Sequence, residues 1–280
     1  MSGFDAVAHA MTSIATGGFS TYDASVGHFD NPAIDWAMSA IMVLGSIPFV
    51  LYLRVVRGDL QPVFADTQVR WFLVILAASI LLTALWLYRG DLMGPLDALR
   101  YSTFNIISVM TGSGFATADY GRWGSFVVSI MFVLMFVGGC AGSTTCGIKI
   151  FRFLVFFGTV RAHLRRMVRP HRIMSEEYGG TRLTPELSFS VLAFLVVYMG
   201  SVGIITVALS FFDLDLVTAI SAAATSVGNV GPGLGPMIGP AGHFAPLPDG
   251  AKWLLSFAML VGRLELFTVL VLLDPDFWSK

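Results

Sequence analysis

The chain has 280 residues, of which 55% are hydrophobic and only 12% charged, against roughly 25% charged in an average soluble domain. With a mean hydropathy of +0.76, this composition excludes a soluble enzyme core, a disordered chain and a disulfide-rich secreted scaffold. The net charge of −1 argues against nucleic acid as a partner, and what remains is an all-α integral membrane protein with room for several spans of about 20 residues.

Met1–Ser20 lacks the cationic start of a signal peptide. Its apolar run from Phe4-Asp5-Ala6 to Ala15-Thr16-Gly17-Gly18-Phe19 is too short to cross and return. Trp36–Leu53 and Trp71–Tyr88 are uncharged and predict the first two spans. A second short run follows, from Leu96-Asp97-Ala98 to Thr111-Gly112-Ser113-Gly114-Phe115. Trp123–Ile148 predicts a third span and Leu187–Phe212 a fourth. A third short run goes from Leu214-Asp215-Leu216 to Val227-Gly228-Asn229-Val230. The fifth predicted span, Trp253–Leu273, is interrupted by Arg263 and Glu265. Tryptophan opens four of the five windows, as it does at membrane interfaces.

Charge sets the orientation. If the chain enters at Trp36 from outside, twelve cationic residues lie inside and four, Arg89, Arg100, Arg122 and Lys252, lie outside. The positive-inside rule then puts the C-terminus in the cytoplasm. The basic, amphipathic stretch Arg152–Arg172 reads as a helix on the inner membrane surface or as a docking surface for a cytosolic partner, and the two are compatible.

The three short runs form an internal repeat. Each opens with an aspartate and closes with glycines, with Gly18, Gly114 and Asn229 aligned. Two copies continue as Phe19-x-Thr21-x-Asp23 and Phe115-x-Thr117-x-Asp119. A half-helix and loop of this length can dip into the membrane if the loop is buried in protein or lines water. Glycines let backbone carbonyls turn toward one axis, where they replace the hydration shell of an ion. The half-helix precedes the loop, so its negative C-terminal end favours a cation. Close helix packing is the alternative role for such glycines.

Within the third window, Gly138, Gly139, Cys140, Ala141, Gly142, Ser143, Thr144, Thr145, Cys146 and Gly147 are all small. Four glycines at ~1 kcal/mol each predict a break in the helix. Either the break is a kink or it is a loop beneath the carbonyls. Arg263 is costly in an apolar helix unless it is paired or hydrated. It either snorkels to the inner surface or bonds the carbonyls of that loop. Glu265, two residues on, is on the wrong face to pair with it. Cys140 and Cys146 lack the spacing of a zinc or redox motif, and the five histidines are scattered.

Ala15–Thr21 (ATGGFST), Gly138–Thr144 (GGCAGST) and Asn229–Gly233 (NVGPG) together resemble the Trk/Ktr superfamily of potassium-uptake membrane proteins, most nearly its bacterial Trk branch. The resemblance covers essentially the whole chain. It implies K+ channel-like architecture, with four helix–pore loop–helix repeats around one axis, of which three pore loops are present here. It implies K+ uptake across the inner membrane without enzymatic activity, with K+ as the transported ion and no other cofactor. It also implies a homodimer in the bilayer and cytosolic nucleotide-binding regulatory subunits.

By position, the resemblance makes Ala15, Thr16, Gly17, Gly18, Thr111, Gly112, Ser113, Gly114, Val227, Gly228 and Asn229 the filter, holding K+ by backbone carbonyls. It makes 138–147 an intramembrane gate and Arg263 its partner. The repeats divide as 1–62, 63–184 and 185–280. The expectation is a C-terminal portion of a chain of roughly 450–500 residues, scaled from a ~115-residue repeat, which does not conduct alone. A secondary transporter coupled to Na+ or H+ and a nonconducting accessory subunit are the competing readings. The windows hold no acid except Glu265, which counts against the transporter.

Overall fold

The computed structural model describes residues 1–169, 177–178, 181–182, 184–264, 266–272 and 274–279. The end of the basic stretch, Pro170–Arg172, lies outside the described residues, as do Glu265 and Lys280. The described chain is helical apart from a two-residue ribbon pairing Glu177–Tyr178 with Thr181–Arg182.

Three helices are short and end in glycine-rich loops: α1 (Gly3–Ile14), α6 (Pro95–Thr111) and α10 (Leu216–Gly228). Their starts are set by caps. Ser2 and Asp5 form a reciprocal capping box on α1, Pro95 occupies the first turn of α6, and Asp215 caps the N–H of Thr218 on α10. The three opening aspartates are therefore not equivalent: Asp5 and Asp97 sit in the first turn, whereas Asp215 precedes the helix. Helix α6 is the longest of the three, at 17 residues against 12 and 13. It is buried without interruption from Ser102 to Thr111. By contrast, α1 leaves Phe4, Val7 and Met11 exposed.

The predicted spans are realised unevenly. Two unbroken helices, α5 (Thr67–Arg89) and α9 (Pro185–Ser210), are long and apolar enough to cross a membrane. The first window instead folds as α2 (Pro32–Gly45) and α3 (Phe49–Val56), bent by 99°. Pro48 lies at this bend as the N-cap of α3, with an extended ψ of 127°. A short α4 (Gln61–Ala65) precedes α5, so the expected boundary at 62 falls inside a helix. The third window gives only α7 (Ser125–Leu134), ten residues long, because the glycine-rich run beyond it leaves the helix. A basic helix, α8 (Ile150–Val168), follows. After α10 come α11 (Gly235–Ile238), α12 (Asp249–Arg263), α13 (Leu266–Leu272) and α14 (Pro275–Trp278). Helices α12 and α13 bend by 105° at the break after Arg263. Among the described residues the five windows are thus realised as two unbroken helices, two bent pairs and one ten-residue helix. Hydropathy windows register apolar length but not where the chain turns.

One apolar cluster joins Met42, Phe72, Phe104, Met110 and Met131 across α2, α5, α6 and α7. A second joins Phe194, Leu209, Ala223 and Leu255 across α9, α10 and α12. The first cluster holds α6 and the second holds α10, while the buried residues of α1 are polar: Asp5, His9 and Ser13.

Candidate functional site: three loop tips above a glycine-rich lobe

Each short helix ends on the same backbone motif. Gly17 N donates to Thr12 O, Ser113 N to Ser108 O and Val230 N to Thr225 O, at 2.7, 2.9 and 2.9 Å. Thr16, Gly112 and Asn229 then take positive φ angles of 49°, 70° and 52°. Two residues later Gly18, Gly114 and Gly231 do so again, at 69°, 81° and 115°. The left-handed region favours glycine, and Asn tolerates it. The structural equivalents are therefore Gly18, Gly114 and Gly231. Aligning Asn229 with Gly18 was two residues out of register, and Val227 belongs to the body of α10.

A hydroxyl six residues before each of these glycines stitches the loop back to its helix. Thr12 Oγ1 donates to Phe19 O at 3.0 Å, and Ser108 Oγ donates to Phe115 O at 2.7 Å. Thr225 Oγ1 accepts from Gly231 N at 3.0 Å. Sequence reading missed this trio, because its spacing is constant only when Gly231, and not Asn229, is the third mark. The shared threonines of the F-x-T-x-D runs act likewise. Thr21 Oγ1 donates to Asp5 Oδ1 at 2.8 Å, and Thr117 Oγ1 accepts from Asn105 Nδ2 at 2.9 Å.

The three tips touch edge to edge. A Cβ on Gly18 would lie 1.7 Å from Ser113 O, and one on Gly114 would lie 2.2 Å from Val230 O. On the far side of the first two loops, Gly27 N donates to Ala116 O at 3.0 Å. The second loop thus sits between the first and third. Ala15 and Gly17 are exposed and Thr16, Thr111 and Ser113 are buried, while Gly112, Gly114 and Asn229 are half-buried.

Residues 138–147 form a lobe against these tips. Its neck is a parallel bridge, with Gly138 N donating to Ile148 O and Ile148 N to Phe136 O. Glycine is needed at the neck, since a Cβ on Gly138 would lie 2.0 Å from Cys146 O. Cys140 N donates to Ser46 O and Phe49 N donates to Gly142 O, so the lobe fills the bend between α2 and α3. Ala141 N donates to Gln68 Oε1 at 2.9 Å. Ser143 Oγ donates to Cys140 O at 2.6 Å, and Thr145 Oγ1 accepts from Gly139 N at 3.0 Å. Thr144 Oγ1 bonds both Ile14 O and Gly45 O, at 3.1 and 3.0 Å, and receives Thr16 Oγ1 at 3.3 Å. Ideal Cβ positions on Gly112 and Gly228 lie 3.9 Å from Cys146 N and 2.8 Å from Met135 O. The lobe therefore meets the first two tips, and the end of α7 just before it meets the end of α10.

Arg263 closes the arrangement from α12. Its Nη1 donates to Thr144 O at 3.3 Å and lies 2.7 Å from Cys146 Sγ. Of the two sequence readings, the contact with the lobe is the one present. Lys149 also bonds Thr145 O and Oγ1. Asn229 Nδ2 donates to Met259 O at 3.1 Å, so its side chain pins the third tip to α12. Among the described residues no cluster of His, Cys, Asp or Glu could hold a metal ion.

Comparison with known proteins accords with this geometry. A family described as TrkH, cation transport protein, matches residues 1–279. The chain is 46% identical over its whole length to the Trk system potassium uptake protein TrkI of Halomonas elongata, covering 57% of it. It is 35% and 32% identical to the TrkH proteins of Vibrio parahaemolyticus and Escherichia coli, covering 58% of each. The crystal structure of the potassium transporter TrkH from Vibrio parahaemolyticus superposes with a TM-score of 0.92 at 33% identity, over 99% of this chain and 60% of that one. The chain spans less than two thirds of these relatives. It belongs to the TrkH family, whose business is cation transport and not catalysis.

Proposed function

We propose that this chain forms part of a K+ uptake pathway in a bacterial inner membrane, with the three loop tips as a carbonyl filter and the 138–147 lobe as its gate. The observation that carries the reading is the edge-to-edge contact of three like-built tips, the second between the other two, with the first two lying against a single lobe. Carbonyls at such tips exchange for the hydration shell of K+ without a fixed charge. Three helix C-termini converging there add partial negative charge, which suits a cation. On this reading the filter segments are Ala15–Gly18, Thr111–Gly114 and 228–231, and the repeats meet near 62 and 184. Arg263 holds the lobe closed through Thr144 O and repels cations until it is released. The homodimer, the cytosolic nucleotide-binding subunits and the cytoplasmic C-terminus belong to the same proposal, resting on the family and the charge distribution.

The test is a chimera. The chain replaces the matching region of the Vibrio parahaemolyticus relative in a K+-uptake-deficient strain. Growth at low K+ is expected, and loss of growth on substituting Gly18 or Gly114. Growth indifferent to both substitutions removes the filter assignment. Arg263→Ala in the chimera is expected to raise K+ flux severalfold, and unchanged flux removes the latch.

A further inference from the structure

Beyond each tip the chain returns past its own short helix, and one buried polar side chain of that helix bonds it: His9 in α1, Asn105 in α6 and Ser221 in α10. His9 Nε2 lies 2.9 Å from Ser20 Oγ. Asn105 Nδ2 donates to Thr117 Oγ1 at 2.9 Å, and its Oδ1 accepts from Thr117 N at 3.3 Å. Ser221 Oγ accepts from Leu234 N at 3.0 Å. The bonded residues Ser20, Thr117 and Leu234 follow shortly after Gly18, Gly114 and Gly231. Two of the tethers are also braced alike. His9 Nδ1 and Asn105 Nδ2 each reach the carbonyl one turn back, Asp5 O and Tyr101 O, both at 2.8 Å.

The partners of His9 fix its wiring. A carbonyl only accepts, so Nδ1 of the neutral ring carries the proton and Nε2 accepts from the Ser20 hydroxyl. Ser20 Oγ in turn accepts from Tyr22 N at 3.2 Å. The ring also reaches beyond its own repeat. It stacks on Phe115 with centroids 6.0 Å apart, and Phe115 directly follows Gly114 at the second tip. Phe29 meets it edge-on at 5.4 Å. His9 is 1% exposed, so its two hydrogen bonds and its ring contacts leave it one position. It therefore joins the same two loops whose tips touch at Gly18 and Ser113.

We propose that His9 is a positioning residue for ion selection: through Ser20 and Phe115 it sets the spacing of the first two tips. This rests on the filter reading above. Discrimination between K+ and Na+ depends on where the carbonyls stand and how many face the ion. Groups that recognise a ligand are held to about 0.5 Å by bonds from the layer behind them, and the His9–Ser20 bond supplies such a hold. Without it the return limb drifts, and the carbonyls of the first tip close on the smaller Na+.

The experiment uses the chimera described above, purified into proteoliposomes, with initial uptake of radiolabelled K+ and Na+ measured side by side. Ser20→Ala and His9→Leu are each expected to lower the K+/Na+ ratio roughly fivefold, the loss of one hydrogen bond. His9→Gln, whose amide can make the same kind of bonds as that of Asn105, is expected to keep the ratio within about twofold of native. A residue that merely supports folding would lower both fluxes together and leave the ratio unchanged. Ser20→Ala keeps the buried ring in place, so it decides if His9→Leu fails to fold. An unchanged ratio in Ser20→Ala, or a ratio in His9→Gln as low as in His9→Leu, overturns the assignment. Gly18→Ala and Gly114→Ala are measured beside them. If those two shift the ratio and Ser20→Ala does not, only the role of His9 falls. If no variant shifts it, the filter reading falls as well.

Discussion

Gly18→Ala is the sharpest perturbation of the loop tips. The backbone at Gly18 has φ of +69°, and an added Cβ would stand 1.7 Å from Ser113 O. The left-handed conformation alone costs an L-residue roughly 1–2 kcal/mol. The clash is with a backbone oxygen of the neighbouring loop, which cannot rotate away as a side chain would. To reach even the 3.0 Å limit of real Cβ contacts, one loop must retreat by about 1.3 Å. Overpacking of this kind adds about 1–3 kcal/mol, for a total of about 2–5 kcal/mol. Gly17→Ala is the control next door, because its Cβ meets nothing closer than Phe19 Cδ2 at 3.5 Å. It should stay within ~0.5 kcal/mol of the native chain. Fluorescence-monitored unfolding in one detergent compares the pair, with Gly18→Ala expected to melt roughly 5–15 °C lower. K+ flux through the chimera should fall at least tenfold for Gly18→Ala alone. Equal melting of the two variants would refute the edge-to-edge packing of the first two tips.

Gly262→Ala inverts the usual helix rule: alanine should gain ~1 kcal/mol inside α12, but its Cβ would lie 2.0 Å from Val227 O, an overpacking that costs about 1–3 kcal/mol, so a net loss of up to about 2 kcal/mol is expected in chemical denaturation. Thr144→Val removes the single hydroxyl proton shared between Ile14 O and Gly45 O; at ~1 kcal/mol, amide exchange within 138–147 should accelerate roughly fivefold while the interior of α5 is unchanged. The Asp5 carboxyl, in the first turn of α1, is held below its ordinary range chiefly by the Ser2 hydroxyl and next by Thr21. Its lowered pKa contributes stability above the ordinary Asp value of about 3.9, and that contribution is lost as pH falls through the lower folded value. A pH titration of Tm should therefore show a step below pH ~4 that is absent in Asp5→Asn.

The repeat, the break at 138 and the outlying Arg263 were legible in the sequence because each violates a strong local expectation. Small residues crowd where a helix should continue, and a charge sits where none should. The register of the third loop was not legible. Glycine served as the alignment mark, yet the first left-handed position is filled by Thr16, Gly112 and Asn229, three different residues in one conformation. The backbone bond from Val230 N to Thr225 O fixes the equivalence, and composition carries no trace of it. The right angle between α2 and α3 was hidden similarly. Trp36–Leu53 is uniformly apolar, and Gly45-Ser46-Ile47-Pro48 reads as a bend only once the lobe is seen to occupy it.

The Thr144 hydroxyl holds the last carbonyl of α1, the carbonyl of Gly45 and the hydroxyl of Thr16 together. A side chain on the lobe thereby finishes a helix 130 residues away in the chain. On the gate reading proposed above, withdrawal of the lobe would uncap that helix end and so couple the lobe to the first tip. A barrier built on the lobe and selectivity built on the tips would then be two readings of one joint, and variants isolated for leakiness should also surface among those isolated for altered ion preference.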